Sequence, residues 1–111
     1  MHFPAELLNR VQAKARQSSS QYRIGACAIS KKGDILGFAM NTPQRPGAVL
    51  EGKYTGQHAE AALIKRYGEN IKTIIVSRIG LGGDLRPIEP CEKCAKLAKK
   101  YNIKIVPVKP D

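Results

Sequence analysis

Three consecutive aliphatic β-branched residues, Ile74-Ile75-Val76, constrain this chain more than any other local feature. An unbroken apolar run of that kind reads as a buried strand, and residues 71–77 are assigned to it. Before it, Pro4 stands in a good first-turn position. Leu7, Leu8, Val11 and Ala15 then recur at helical spacing, so residues 4–17 are expected to form a helix that ends at the Ser18-Ser19-Ser20 run. Residues 22–30 and 34–40 are β-prone, and Lys31-Lys32-Gly33 between them suits a short antiparallel hairpin. Residues 57–67 are rich in Ala, Leu, Ile and Lys, with Gly68 where a helix stop belongs. Pro90 precedes a helical stretch over residues 91–101. Ile103, Ile105 and Val108 make a last strand, whose Pro107 cannot donate a ladder hydrogen bond and so belongs at a sheet edge. Pro and Gly gather in residues 42–57 and 79–90, which read as two long loops.

The resulting order is α-β-β-α-β-α-β. Its strand-helix-strand-helix-strand half implies parallel crossovers, hence an α/β fold in two or three layers, a mixed sheet with helices packed on it. A chain of 111 residues has room for one domain, expected over residues 1–111. The mix of 42% apolar and 25% charged residues excludes collagen-like, mucin-like and broadly disordered chains. No apolar run approaches the roughly 20 residues of a membrane helix, and residues 1–6 lack a charged-then-apolar signal pattern. A soluble, cytoplasmic protein without a membrane partner is therefore expected. Nineteen Lys and Arg against nine Asp and Glu give a net charge of +10, which draws anionic partners, phosphate first among them.

His and Cys are scarce: His2, Cys27, His58, Cys91 and Cys94 are all there are. In a reducing compartment the cysteines point to metal binding or catalysis ahead of a disulfide framework. His58-Ala59-Glu60 opens one expected helix, and Pro90-Cys91-Glu92-Lys93-Cys94 opens the next. At helix starts the positive end of the dipole favours thiolate, the form a metal needs. Cys91 and Cys94, three apart, project from neighbouring points of one helix face. Two thiolates and the His58 imidazole supply three ligands to a zinc ion, Zn2+, and leave its fourth position for water, whose pKa falls to about 7. Glu60, two residues from a ligand, is then a base that shuttles the proton.

Three other readings compete. A closed zinc staple needs a fourth protein ligand, for which only Cys27 and His2 are available, and Cys27 inside a strand reads as a small core hydrophobe. Cys-x-x-Cys at a helix start also suits thiol exchange, against which the companion His-x-Glu argues. Glu60 in isolation would be an ordinary first-turn carboxylate.

His58-Ala59-Glu60 with Pro90-Cys91-x-x-Cys94 resembles the zinc-dependent cytidine and deoxycytidylate deaminase superfamily. Arg23-Ile24-Gly25-Ala26 leading into a strand, the Lys32-Gly33-Asp34 hairpin and Asn41 ending the second strand look like the family's first half. The resemblance covers nearly the whole chain. It implies a cytidine-deaminase-like fold, one Zn2+ per chain and hydrolytic attack on C4 of cytosine, with Glu60 relaying protons to the ring nitrogen and the departing amine. It also implies that Asn41 holds the sugar or base, and that the carbonyl of Ala59 and the backbone around Cys91 contact the base. Read alone, Asn41 is a turn residue before Pro43.

Most family members continue beyond the fourth expected strand with another helix or strand. The pocket is therefore expected to be completed by residues 42–57 or by a neighbouring subunit, which makes a homo-oligomer. Arg45, Lys53 and Tyr54 before the metal motif, and Arg78 and Arg86 after the buried strand, are candidates to meet phosphate and stack on the base. Solubilising loop charge is their alternative. Lys93, Lys96, Lys99 and Lys100 read as a solvated helix face rather than a nucleic-acid stripe.

The expected activity is conversion of a cytosine nucleoside or nucleotide, as a small-molecule substrate, to its uracil form with release of ammonia. Two alternatives stand beside it. One is deamination of single-stranded DNA or RNA, supported by the charge but opposed by the lack of Trp and the presence of only two Phe and four Tyr for base stacking. The other is a non-catalytic binding module stapled by zinc.

Overall fold

The computed structural model describes residues 4–18, 23–41, 58–80, 82–88 and 92–108. Along them run helix α1 (Ala5–Arg16), strands β1 (Arg23–Ser30) and β2 (Ile35–Met40), and helix α2 (Ala59–Tyr67) with a 3-10 turn after it (Gly68–Asn70). Strand β3 (Ile71–Ile79), the two-residue strand β4 (Leu85–Arg86), helix α3 (Glu92–Lys100) and strand β5 (Lys104–Pro107) complete the order.

The apolar run foreseen as a buried strand is β3, in the middle of a mixed sheet. One side of β3 pairs antiparallel with β1 from Arg23↔Ile79 to Ser30↔Ile71. Its other side is shared: β5 pairs parallel from Thr73↔Lys104 to Val76↔Pro107, and β4 pairs antiparallel at Arg78↔Arg86 and Ile79↔Leu85. β2 pairs antiparallel with the outer side of β1. The parallel crossover through α3 and the edge position of Pro107 agree with expectation.

Residues 79–90, expected to be a loop, carry a strand that alternation could not reveal because it is only two residues long. Gly80 N donates to Asp84 O at 2.8 Å and Gly83 N to Gly80 O at 2.9 Å, a tight turn that folds β4 back on β3. Arg78 and Arg86 are therefore strand residues facing each other across the ladder, not members of a loop.

Alternation along β1 and β3 assigns the core to two faces. Cys27, Ile29 and Ile75 pack with Leu7 and Val11 of α1. Ala26, Ala28, Ile74 and Val76 pack with Ala59, Leu63 and Ile64 of α2 and Ala98 of α3. The sheet thus lies between α1 and the α2–α3 pair. Full burial of an Ile, Leu or Val is worth about 1.5–3 kcal/mol each, so these two faces carry most of the driving force.

α1 approaches β1 closely because Gly25 has no side chain. A Cβ there would lie 2.5 Å from Ala15 N and would also collide with Val11 O. The β1–β2 turn uses Gly33 at φ +92°, a conformation other residues adopt only under strain.

Candidate active site

α2 and α3 start at the same end of the sheet and lie on the same face, so their first turns meet. His58 is the N-cap of α2, with extended backbone, and its carbonyl accepts from Ala62 N at 3.0 Å. Glu60 follows in the first turn, and Cys94 is the third residue of α3. A ring nitrogen of His58, a carboxylate oxygen of Glu60 and Sγ of Cys94 all lie within 4.8 Å of one another.

Glu60 and Cys94 are each 2% exposed. The Oε1 atom of Glu60 has no hydrogen-bond partner among the described residues. Leaving a carboxylate oxygen buried and unpaired costs several kcal/mol unless something bound there meets it. Imidazole nitrogen and thiolate sulfur are the donors zinc prefers, and a tetrahedral zinc spaces its donors about 3.5 Å apart. The donor set and the orphaned oxygen therefore fit a zinc ion with its water.

Cys91, the other foreseen sulfur ligand, lies outside the described residues, as do Arg45, Lys53, Tyr54 and His2. Ala59 is fully buried and its methyl joins the α2 core cluster, so only its backbone is left for a ligand. Cys27 is fully buried between Val11 and Ile75, as a core residue should be. Burial pushes its thiol up from 9.0 to about 11, against the smaller opposing pull of the Arg10 guanidinium. Lys93, Lys96, Lys99 and Lys100 are exposed, with Lys96 paired to Glu92 at 3.2 Å, which is the solvated face that was expected.

Asn41 directly follows β2 and is 7% exposed. Its Oδ1 accepts from Ser18 Oγ at 2.7 Å and from Ile24 N at 2.9 Å, and Ser18 Oγ also lies 2.9 Å from the Asn41 carbonyl. Ser18 was legible only as part of a serine run closing the first helix. Its hold on Asn41, 23 residues away, has no local signature in the sequence.

Arg78 is half-buried and, two residues beyond Val76, belongs to the sheet face that carries α2 and α3. Arg86 is more than half exposed and holds Asp84 at 2.8 Å.

Residues 3–109 match the cytidine and deoxycytidylate deaminase zinc-binding region, and the chain belongs to that zinc-dependent deaminase family. Three solved structures show the same fold at low identity. Cytidine deaminase from Burkholderia pseudomallei has TM-score 0.67 and 17% identity, covering 99% of this chain and 89% of its own. Cytidine deaminase from Mycobacterium tuberculosis has TM-score 0.62 and 14% identity, covering 97% and 87%. Cytidine deaminase from Mycobacterium leprae has TM-score 0.60 and 17% identity, covering 87% and 81%. Identity at that level speaks for the fold alone. Among curated proteins no sequence match is found.

Proposed function

We propose that this chain is a hydrolytic deaminase that converts a cytosine nucleoside or nucleotide to its uracil form and releases ammonia. The observation that carries the proposal is Glu60 Oε1, buried beside His58 and Cys94 and without a partner among the described residues.

His58 and Cys94, with Cys91 as the third donor, would hold one zinc ion per chain. When bound, the ion supplies the Lewis acidity that brings the pKa of a water molecule down to about 7. Glu60 is the proton carrier: its Oε1 takes the proton of the attacking water, passes it to the ring nitrogen, and then serves the leaving amine. One C–O bond forms, the exocyclic C–N bond breaks, and one water is consumed for each ammonia released.

Asn41, held in one orientation by Ser18 and Ile24, is the candidate for a sugar hydroxyl. Arg78, on the sheet face shared with α2 and α3, is the described candidate for a phosphate. Arg86 would have to leave Asp84 to join it. A homo-oligomer that completes the pocket, working in the cytoplasm, accompanies the proposal, and light scattering of the active protein tests the assembly.

The decisive experiment is ammonia release from cytosine, cytidine, deoxycytidine, their mono- and triphosphates, and a single-stranded oligonucleotide. Turnover of a monomeric substrate is expected. Glu60→Gln should lower it by roughly 10²–10⁴-fold while zinc content stays the same. Full turnover by Glu60→Gln contradicts the role of Glu60, and turnover of the oligonucleotide alone replaces the monomeric substrate class.

A further inference from the structure

Far from Glu60, at the end of the sheet where β1 finishes and β3 begins, lies a cleft of about 610 Å³ that the proposed reaction does not use. Lys72 at that end and Arg78 at the reaction end are separated by six strand steps, about 20 Å.

Two bulges shape the cleft. Between Ala28↔Gly37 and Ile29↔Ile35 the strand β2 carries one extra residue, Leu36. Between Ile29↔Thr73 and Ser30↔Ile71 the strand β3 carries one extra residue, Lys72. Without these bulges, alternation from Phe38 would turn Ile35 toward α2, and alternation from Ile74 would turn Lys72 toward α2 as well. With them, both line the cleft on the α1 side, next to Leu7 and Ile29. A bulge re-aims side chains at the expense of ladder hydrogen bonds, and here two of them serve one cleft.

The lining divides by chemistry. Leu7, Ile29 and Ile35 form an apolar wall, and Ile35, at 45% exposure, is the exposed large hydrophobic residue among the described ones. Among the described lining residues, Arg10, Lys31, Lys32 and Lys72 have Glu6 as the one counter-charge. The hairpin that bears two of these lysines is fixed: Ser30 Oγ accepts from Lys32 N at 3.2 Å and Asp34 N at 3.0 Å, and Lys31 N donates to Asn70 O at 3.3 Å. A second copy of the same face would bring like charges together, whereas an anion meets a complementary field. The volume falls inside the ~300–1,000 Å³ range of small-molecule sites.

We propose that this cleft is a second binding site, for a small phosphorylated molecule with an apolar body. The body lies against Leu7, Ile29 and Ile35, and the phosphates meet the lysines and Arg10. The site stands independently of the deaminase chemistry.

The test is an amide-resonance titration of the full chain with ATP, adenosine and tripolyphosphate at one ionic strength. ATP should shift residues 29–33 and 72–73, leave residues 58–62 still, and bind at least about tenfold more tightly than either fragment. Lys31→Glu with Lys72→Glu should weaken ATP at least about tenfold, and Glu60→Gln should leave it unchanged. Ile35→Ser, at an exposed position, should weaken ATP and not tripolyphosphate. Equal binding of tripolyphosphate and ATP, indifference to the lysine reversals, or shifts centred on residues 58–62 would overturn the proposal. So would a single-stranded oligonucleotide that occupies residues 29–33 more tightly than ATP, which would assign the cleft to nucleic acid.

Discussion

Cys27 and Cys94 are both buried thiols, and their settings separate them chemically. Cys94 stands at the head of α3 beside an imidazole and a carboxylate, whereas Cys27 sits mid-strand among aliphatic side chains. The folded protein holds the Cys27 thiol near 11 against an ordinary value of 9.0, so the unfolded chain loses that proton first as pH rises. The contribution to stability is whole below 9.0, shrinks as pH climbs, and is gone once pH passes the folded value of about 11. The stability gap between the native chain and Cys27→Ala, measured in urea under reducing conditions, should narrow by on the order of 2 kcal/mol over that window. A constant gap would mean that burial does not hold the thiol. Ser18 gives a second expectation at this scale. Ser18→Ala removes the hydroxyl that Asn41 Oδ1 accepts from, and should cost about 1–2 kcal/mol in the same urea measurement. The grouping of His58, Glu60 and Cys94 was readable because His-x-Glu and Cys-x-x-Cys need fixed local spacing. The anchoring of Asn41 was not, since it depends on a tertiary hydrogen bond to Ser18.

At the scale of elements, sequence periodicity located three helices and four strands, because each presents an apolar stripe or run long enough to show its repeat. β4 escaped because two residues carry no period, and the bulges at Leu36 and Lys72 escaped because an extra residue leaves the composition of a strand unchanged. Arg86 escaped with β4, and Arg78 escaped because β3 runs on to Ile79, two residues past its expected end at 77. The packing of α1 on β1 depends on one missing side chain. Gly25→Ala would put its methyl against Val11 O and within 2.5 Å of Ala15 N, backbone atoms that cannot swing aside. The helix must move outward, and thermal unfolding should register a loss of about 1–3 kcal/mol or more. An unchanged melting temperature would show that α1 does not seat as closely as described.

Across the whole molecule, the sheet separates two chemistries. One end gathers His58, Glu60 and Cys94 at the starts of α2 and α3, and the other gathers Lys31, Lys32 and Lys72 around an apolar cleft. The net charge of +10 was legible from composition, but its concentration at the cleft required the fold. No helix among the described residues is long and apolar enough to cross a membrane. The central claim is that the reaction end keeps a coordination position for water facing Glu60. Zinc-edge X-ray absorption of the full chain tests it most directly. The account predicts two sulfur neighbours at about 2.3 Å, one nitrogen at about 2.0 Å and one light, exchangeable oxygen. A shell filled by four protein donors, or a spectrum unchanged from that of zinc in buffer, would contradict it.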